Sequence, residues 1–293
     1  MAVCFSLITP VLNGEKYIAR SYRCLRNQEC EDWEWIIVDD GSADQTVREV
    51  EKLRDHRIKL IRNERNCGRG LARTVALDES SGSWVVVWDI DDLYFPDRLT
   101  QALAAKEQGK EFCVSGCVVI DKKFNITGSR GFGLFDDKRT RMFLHPTLSC
   151  RAALLKEIGY KNSYTIGEDF LPIFKISRDS KGAWSSDPVI AYREDSNPNK
   201  LVEAILAKGN QIKDWEQIAL EVGVCDATKA AVRRVRWKKF FLSMFLFCPP
   251  LYKWTFAIRS QGATLTMANL RESKLNFMKE AKRRLEANDW SYE

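Results

Sequence analysis

Short apolar runs alternate with amphipathic stretches along the first two thirds of the chain, and this alternation restricts the fold more than any other feature. Most of the apolar runs are continuous, and they are rich in β-branched and aromatic residues. Continuous apolar strands separated by helices are typical of a parallel sheet that is covered on both faces. We therefore predict an α/β fold with a mostly parallel sheet. The predicted strands are Val3–Thr9, Trp35–Val38, Arg57–Ile61, Trp84–Trp88 and Phe112–Ile120, and the predicted helices are Glu15–Gln28, Asp44–Arg54, Arg69–Glu79 and Pro96–Gln108.

The pattern becomes less regular after about residue 125. Helices are predicted over Arg151–Ile158, Glu168–Arg178 and Lys200–Leu220, and the segment Asn197-Pro198-Asn199 marks a domain boundary near residue 200. The glycines between 128 and 133 are typical of a lid or of a surface hairpin. We predict a main α/β domain over residues 1–200 and a helical, basic region over residues 201–293.

The composition excludes several classes of site. The chain has 293 residues, of which 45% are hydrophobic and 29% charged, as in ordinary globular proteins. It has only two histidines, His56 and His145, so a zinc site built from several histidines is excluded. Its nine cysteines form no C-x-x-C pair, which favours buried thiols in a reducing compartment. With no recognisable signal peptide, we expect a cytoplasmic protein.

The positive charge is concentrated at the C-terminal end. The formal net charge is +6, and residues 229–293 contain 14 Lys and Arg against 5 Asp and Glu. Basic and aromatic residues are adjacent over residues 232–258, which is typical of a segment lying on an anionic membrane; a helix packed on the main domain is the alternative. The uncharged run Phe240–Tyr252 is 13 residues long, too short to span a bilayer. Nucleic-acid binding is not expected, because no nucleic-acid-binding motif accompanies the charge.

Polar clusters follow three of the predicted strands. They are Thr9 to Asn13, Asp39 to Ser42, and Asp89 to Asp92. Ligands of open parallel sheets bind beyond the carboxyl ends of the strands, so we expect the three clusters to meet at one edge. Crowded carboxylates repel each other unless a cation lies between them, and oxygen ligands select Mg²⁺ or Mn²⁺. The clusters predict a metal-assisted site for a phosphorylated ligand, although each alone is more often a turn or a helix cap.

Five motifs, in register over roughly residues 3–195, make the chain resemble family 2 glycosyltransferases of the GT-A fold. The motifs are Ser6 to Asn13, Trp35 to Ser42, Asn66-Cys67-Gly68 leading to Ala72-Arg73, Asp89 to Asp92 followed by Pro96, and Gly167-Glu168-Asp169. The resemblance implies a nucleotide-diphospho-sugar transferase-like fold, with residues 1–200 as the catalytic domain and a helical C-terminal extension.

The resemblance also implies roles for individual residues. Pro10, Asn13, Asp40, Arg73 and Asp89 would bind the nucleotide, with Asp40 at the base and Asp89 at the ribose. Asp91 would ligate Mn²⁺ or Mg²⁺, and Asp169 would be the catalytic base of an inverting transfer. Asp195 stands where the family often has a histidine and would be a second metal ligand. Leu12 stands where the family often has a tyrosine, so the base-stacking contact of that tyrosine is not expected.

Two further residues are expected on the acceptor side, namely His145 and Glu168. A buried, hydrogen-bonded structural histidine is an equal alternative for His145. For Asp169, at the start of a predicted helix, the alternative to the base is a favourable contact with the helix dipole.

The expected function is therefore transfer of a sugar, from UDP-sugar above all, to a hydroxyl of a glycan or lipid-linked acceptor in surface polysaccharide or lipopolysaccharide synthesis. The alternatives are a sugar nucleotidyltransferase and a catalytically silent binding module. A dehydrogenase is disfavoured, because Arg73 occupies the third glycine position of the segment that begins at Asn66.

Overall fold

A nine-stranded mixed sheet flanked by helices forms the main part of the molecule. The computed structural model describes residues 3–121, 125–130, 133–134, 141–160 and 168–193, and in the C-terminal region residues 210, 212–214, 216–221, 229, 232–233, 235–240 and 283. The strands are β1 (Phe5–Val11), β2 (Trp33–Asp39), β3 (Ile58–Arg62), β4 (Trp84–Val87), β5 (Leu93–Tyr94), β6 (Phe112–Ile120), β7 (Ile126–Arg130), β8 (Gly133–Leu134), β9 (Arg141–Met142), β10 (Ser149–Arg151) and β11 (Gly182–Arg193). The helices are α1 (Glu15–Arg26), α2 (Thr46–Glu51), α3 (Arg69–Asp78), α4 (Arg98–Glu107), α5 (Ala152–Ile158) and α6 (Phe170–Asp179), with a 3-10 turn at His145–Thr147.

The strand order is β3-β2-β1-β4-β10-β6-β11-β5, and β7 pairs with β6 beside this path. The first four strands in this order are parallel. Strand β10 lies antiparallel between β4 and β6, while β11 runs parallel to β6 with a register shift between Ser185 and Ile190. A short separate sheet joins β8 to β9.

Both faces of the sheet are buried because successive side chains point to opposite sides. On β1, Phe5 and Leu7 belong to one hydrophobic cluster and Ile8 to the other. Strand β2 does the same with Trp35 and Ile36. This two-sided burial explains the uninterrupted apolar runs in the sequence and confirms the predicted α/β class.

Several predicted boundaries are wrong by a few residues, for local reasons. Helix α2 starts at Thr46 rather than Asp44, because Asp44 lies before the helix and accepts hydrogen bonds from the N–H groups of Thr46 (2.9 Å) and Glu15 (3.1 Å). Helix α4 starts at Arg98, two residues after Pro96, whose carbonyl accepts from the N–H of Glu29. Strands β5 and β11 have no counterpart among the predicted strands.

The C-terminal region is described only in part, so the predicted boundary near residue 200 lies outside the described residues. Ile218 and Val235 pack against Leu171 and Phe174 of α6 in a small hydrophobic cluster. In the described part of the chain, no helix combines the length and apolarity needed to cross a membrane.

Candidate functional site

A cleft of about 490 Å³ opens at the carboxyl ends of β1, β2 and β4. The polar clusters that follow these three strands all reach it, as the sequence predicts for an open sheet. The lining residues are Pro10, Val11, Leu12, Asn13, Gly14, Tyr17, Asp40, Asn66, Gly68, Arg69, Arg73, Asp89, Ile90, Asp91 and Tyr192.

Asp40 fastens the loop that leads into α3. Its Oδ1 accepts hydrogen bonds from the side chain of Asn63 (2.8 Å) and the N–H of Cys67 (3.0 Å), and its Oδ2 accepts from the N–H of Gly68 (2.8 Å). Gly41 has φ +80, and a Cβ there would lie 2.8 Å from the backbone nitrogen of Asn66. A glycine is therefore required after Asp40 for the loop to approach this closely.

Asn13 holds the other side of the same cleft. Its φ of 53 lies in the left-handed region, which asparagine tolerates better than most residues. Its N–H donates to Oγ of Ser42 (2.8 Å), and its Oδ1 accepts from the N–H of Ala43 (2.9 Å). The ends of β1 and β2 are thus joined by side chains of the two predicted motifs.

Arg73 forms a buried bridge between two carboxylates. The residue is 3% exposed; Nη2 lies 2.9 Å from Oδ1 of Asp89, and Nη1 lies 2.6 Å from Oε1 of Glu168. Arg69, one helical turn earlier, places Nε 3.3 Å from the same Oε1 of Glu168. Burial would lower the pKa of Arg73, but the carboxylates of Asp89 and Glu168 raise it, so the guanidinium stays charged.

Three aspartates crowd the turn after β4. Asp92 is buried, and its Oδ1 accepts a hydrogen bond of 2.9 Å from the N–H of Arg193 at the end of β11. Burial and the charges of Asp91 and Asp89 raise the pKa of Asp92. Desolvation and the charge of Asp89 likewise raise the pKa of Asp91, whose residue is exposed at the cleft surface. A bound cation would relieve this repulsion.

Asp169 lies directly before α6 and is partly buried. Burial and the neighbouring charge of Glu168 raise its pKa to about 6, although Arg73 and Arg69 act in the opposite direction. A carboxyl group with a pKa near neutrality can accept a proton and is easily regenerated.

The residues predicted on the acceptor side lie behind the cleft. His145 is buried, its Nε2 lies 2.9 Å from the hydroxyl of Tyr160, and burial and Arg73 lower its pKa. This geometry favours the structural alternative for His145. Glu168 is also buried, in the ion pairs with Arg73 and Arg69, rather than directed at the cleft surface. Asp195 lies outside the described residues.

Some residues that line the cleft were not among the predicted site residues. Tyr17 and Tyr192 line the cleft, and the guanidinium groups of Arg20 and Arg193 lie 5.3 Å and 5.7 Å from the Tyr17 ring. Arg69 was recognisable in principle, because it precedes Arg73 by four positions and shares its helix face. The position of Tyr17 had no comparable signal, since amphipathic helices often carry a tyrosine.

The donor atoms of the cleft suit a hard divalent cation. Asp91 and Asp89 offer carboxylate oxygens, which Mg²⁺ and Mn²⁺ prefer. Among the residues that the structure describes, no three His, Cys, Asp or Glu side chains are close enough together to hold a metal ion alone. One or two carboxylates suffice when phosphate oxygens of a ligand supply the remaining positions, so the site fits a metal bound together with a diphosphate.

The sheet order, the switch in strand direction at β10 and the acidic cleft define the GT-A class of fold. The family model for glycosyl transferase family 2 matches residues 6–158, which is more than half of the chain. The chain therefore belongs to glycosyl transferase family 2.

Curated relatives agree with this assignment. The chain is 27% identical to an uncharacterized glycosyltransferase, MJ1057 of Methanocaldococcus jannaschii, over 64% of this chain and 69% of the relative. It is 34% identical to the UDP-Glc:alpha-D-GlcNAc-diphosphoundecaprenol beta-1,3-glucosyltransferase WfgD of Escherichia coli, over 34% of this chain and 39% of WfgD. The matches to several other relatives likewise span less than two thirds of those proteins.

Solved structures share the fold at low sequence identity. TarS of S. aureus, residues 1–349 in complex with UDP-GlcNAc, superposes with a TM-score of 0.54 at 20% identity, over 89% of each chain. The mannosyltransferase PcManGT from Pyrobaculum calidifontis, in complex with GDP-Man and Mn²⁺, gives a TM-score of 0.57 at 16% identity, over 100% of this chain and 89% of that one. Both similarities support the GT-A fold.

Proposed function

We propose that this protein is a metal-dependent, inverting hexosyltransferase. It moves a sugar from a nucleotide-diphosphate donor, for which a UDP-sugar is the first candidate. The receiving group is a hydroxyl of a glycan or lipid-linked acceptor in surface polysaccharide or lipopolysaccharide synthesis. One observation carries the proposal: the cleft unites Asp40, Asp89 and Asp91 on its donor side, and Arg73 ties this side to the residue before Asp169.

In this proposal the donor lies along the edge of the sheet. Pro10, Asn13 and Asp40 hold the nucleobase, and Asp89 holds the ribose. Asp40 uses both oxygens to hold the loop before α3, and each carboxylate oxygen can accept more than one hydrogen bond. Asp40 can therefore accept from a uracil N–H without releasing the loop. Arg73 orients Asp89 through the ion pair between its Nη2 and Oδ1 of Asp89.

The cation would be held by Asp91, with the diphosphate completing its shell. When bound, Mn²⁺ or Mg²⁺ would neutralise charge on the departing diphosphate. Asp195 is a proposed second ligand on sequence grounds alone. The Mn²⁺ in PcManGT supports the use of a divalent metal in this fold.

Asp169 is the proposed base. It would accept the proton of the acceptor hydroxyl while the acceptor oxygen forms a bond to the anomeric carbon. The bond between that carbon and the diphosphate oxygen breaks, UDP leaves, and the anomeric configuration inverts. A positioned base of this kind contributes roughly 10²- to 10⁴-fold to a rate.

The names of similar proteins guide the choice of substrates. WfgD uses UDP-glucose and a lipid-diphosphate acceptor by name, and TarS is a poly(ribitol-phosphate) beta-N-acetylglucosaminyltransferase seen with UDP-GlcNAc. PcManGT was seen with GDP-Man, so a panel of donors must include both bases.

The deciding experiment measures the melting temperature of the chain with UDP- and GDP-sugars, with Mn²⁺ or with EDTA. A ligand that binds only the folded state raises the melting temperature by mass action. We expect UDP-sugars with Mn²⁺ to give the largest increase and to be hydrolysed slowly. Binding without hydrolysis or transfer would favour the silent binding module. Formation of a nucleotide sugar from UTP and a sugar phosphate would favour the nucleotidyltransferase.

We also propose peripheral attachment to the inner face of the cytoplasmic membrane. Val235 packs inward against α6, whereas Trp237 and Phe240 are each 57% exposed and Arg233 and Arg236 are exposed beside them. Exposed aromatic and basic side chains together suit an anionic bilayer surface.

Co-sedimentation with vesicles tests this attachment. We expect binding to vesicles that contain phosphatidylglycerol but not to pure phosphatidylcholine, with a loss in the double variant Arg233→Gln and Arg236→Gln. The matched control removes the same charge at Lys52, directly after α2, and at Lys59 on the edge strand β3, both outside the basic segment. Equal binding of both variants would contradict the proposal.

A further inference from the structure

The buried arginine of the cleft connects two parts of the molecule that are remote in sequence. Arg73 and Glu168 are 95 positions apart, and Arg73 and Asp89 are 16 apart. Asp89 lies two residues after β4 on the proposed donor side, while Glu168 lies two residues before α6 and next to Asp169. A single side chain on α3 therefore links the wall of the cleft at Asp89 to the segment just before α6.

We propose that Arg73 is a positioning residue that couples nucleotide binding at Asp89 to the placement of Glu168 and Asp169. The inference deepens the proposed function and rests on it for the role of Asp169. The coupling itself depends only on the two ion pairs of Arg73 and on the donor cleft.

The fork of the guanidinium makes this coupling possible. Nη1 and Nη2 each contact a different carboxylate, at 2.6 Å and 2.9 Å, and arginine holds such contacts in a fixed planar geometry. A lysine would carry the same charge at one point and could not hold both carboxylates in this way. Both Arg73 and Glu168 are buried, so water cannot replace a lost partner cheaply.

Replacement of Glu168 should therefore weaken the binding of the nucleotide. Without the charge of Glu168, Arg73 keeps its ion pair with Asp89 and only the weaker attraction of Asp169, so the pull on Asp89 increases and draws it away from a ribose hydroxyl. Arg69 also loses its carboxylate partner, but it is largely exposed and keeps its hydration. The effect on nucleotide affinity should run through Arg73 rather than through Arg69.

A double-mutant cycle on UDP affinity tests the inference. The dissociation constant of UDP is measured by calorimetry in the presence of Mn²⁺ for the full chain and for Arg73→Lys, Glu168→Gln and the double variant. We expect Glu168→Gln to weaken UDP binding about three- to tenfold when Arg73 is present, and less than about twofold in the lysine background. Independent effects of the two substitutions would overturn the proposal.

Two controls exclude a merely structural explanation. Arg57→Lys changes an arginine that also makes two contacts with a carboxylate, that of Asp55, at 3.0 Å and 2.7 Å outside the cleft, and it should leave UDP affinity unchanged. If Arg73→Lys does not fold, Glu168→Asp replaces it. Glu168→Asp keeps the negative charge, so its UDP affinity should lie within about twofold of the wild-type value. If Glu168→Gln binds UDP as tightly as the wild type, the coupling is contradicted.

Kinetics separate this inference from the proposed function. In an active enzyme, Glu168→Gln should lower kcat in addition to raising the donor KM, because Asp169 is displaced as well. A wild-type chain that binds UDP but transfers no sugar would contradict the proposed function, and the binding cycle would still decide the coupling. A chain that binds neither UDP nor GDP would contradict both.

Discussion

The N–H of Gly68 donates a hydrogen bond of 2.8 Å to Oδ2 of Asp40, and this contact fastens the start of α3 to the end of β2. Helix α3 carries Arg73, so the position of the buried bridge depends on Asp40. The carboxylate that we propose to hold the nucleobase therefore also has a structural role, and a substitution there should affect both stability and binding.

We predict that Asp40→Asn lowers stability by about 1–3 kcal/mol, because the amide N–H₂ faces a backbone N–H and leaves a buried donor without an acceptor. UDP affinity should fall by more than about tenfold, since the loop shifts and the base loses its carboxylate. Thermal unfolding and calorimetry check the two effects. Asp55→Asn is the control: it removes contacts with Tyr22 and Arg57 outside the cleft, so it should lower stability and leave UDP affinity unchanged.

The early part of the fold was predictable because its signals are local. Strands β2 and β4 contain continuous apolar runs, β1 to β3 are each followed directly by a helix, and β4 is followed by the short strand β5 and then by α4. Strand β11 was missed because Asp187 and Pro188 interrupt it, and its register with β6 shifts between Ser185 and Ile190. Its pairing depends on contacts with a distant segment, which no local pattern reports.

The candidate site was likewise predictable only in part. The sequence predicted that Asp40, Asp89 and Asp91 meet at one edge, because parallel strands end on the same side, and these residues do line one cleft. The ion pair of Arg73 with Glu168 could not be predicted, since a separation of 95 positions leaves no periodic signal. The roles assigned to these residues stay predictions.

Asp169→Asn should abolish sugar transfer and leave donor binding nearly unchanged. Transfer should stop because an amide cannot take the proton from the acceptor hydroxyl. Donor binding should persist because Asp169 is not among the residues that line the donor cleft. The measurement pairs a transfer assay with the dissociation constant of the donor. A loss of donor affinity as large as the loss of transfer would contradict the assignment of Asp169 as the base.

The transfer rate should rise with pH around pH 6. Burial and Glu168 raise the pKa of Asp169 to about 6, and a base works only after it has lost its proton. The other charged groups that act on it are Arg73 and Arg69, which lower the pKa. Glu168→Gln removes a negative charge, so the acid limb of kcat should move to lower pH. A shift to higher pH would contradict this electrostatic account.

Asp91→Asn should remove the dependence of nucleotide binding on the metal. The melting temperature of the wild-type protein should rise more with UDP and Mn²⁺ than with UDP and EDTA. In the variant, the two conditions should give nearly the same rise. Asp179→Asn, at the exposed end of α6, is the matched control and should behave as wild type. A variant that keeps the full Mn²⁺ effect would exclude Asp91 as a metal ligand.

Gly182→Ala tests the packing of β11, the strand that the sequence did not reveal. A Cβ at Gly182 would lie 2.0 Å from Cζ of Phe112, and that ring packs against Phe143 and Trp184 with centroids 6.1 Å and 5.7 Å away. The ring cannot move without disturbing this cluster, so we expect a loss of about 1–3 kcal/mol in thermal unfolding. Phe112→Leu removes the outer part of the ring and should make the added methyl group of Gly182→Ala less damaging than in wild type. Additive losses in the double variant would show that Gly182 and Phe112 are not in contact.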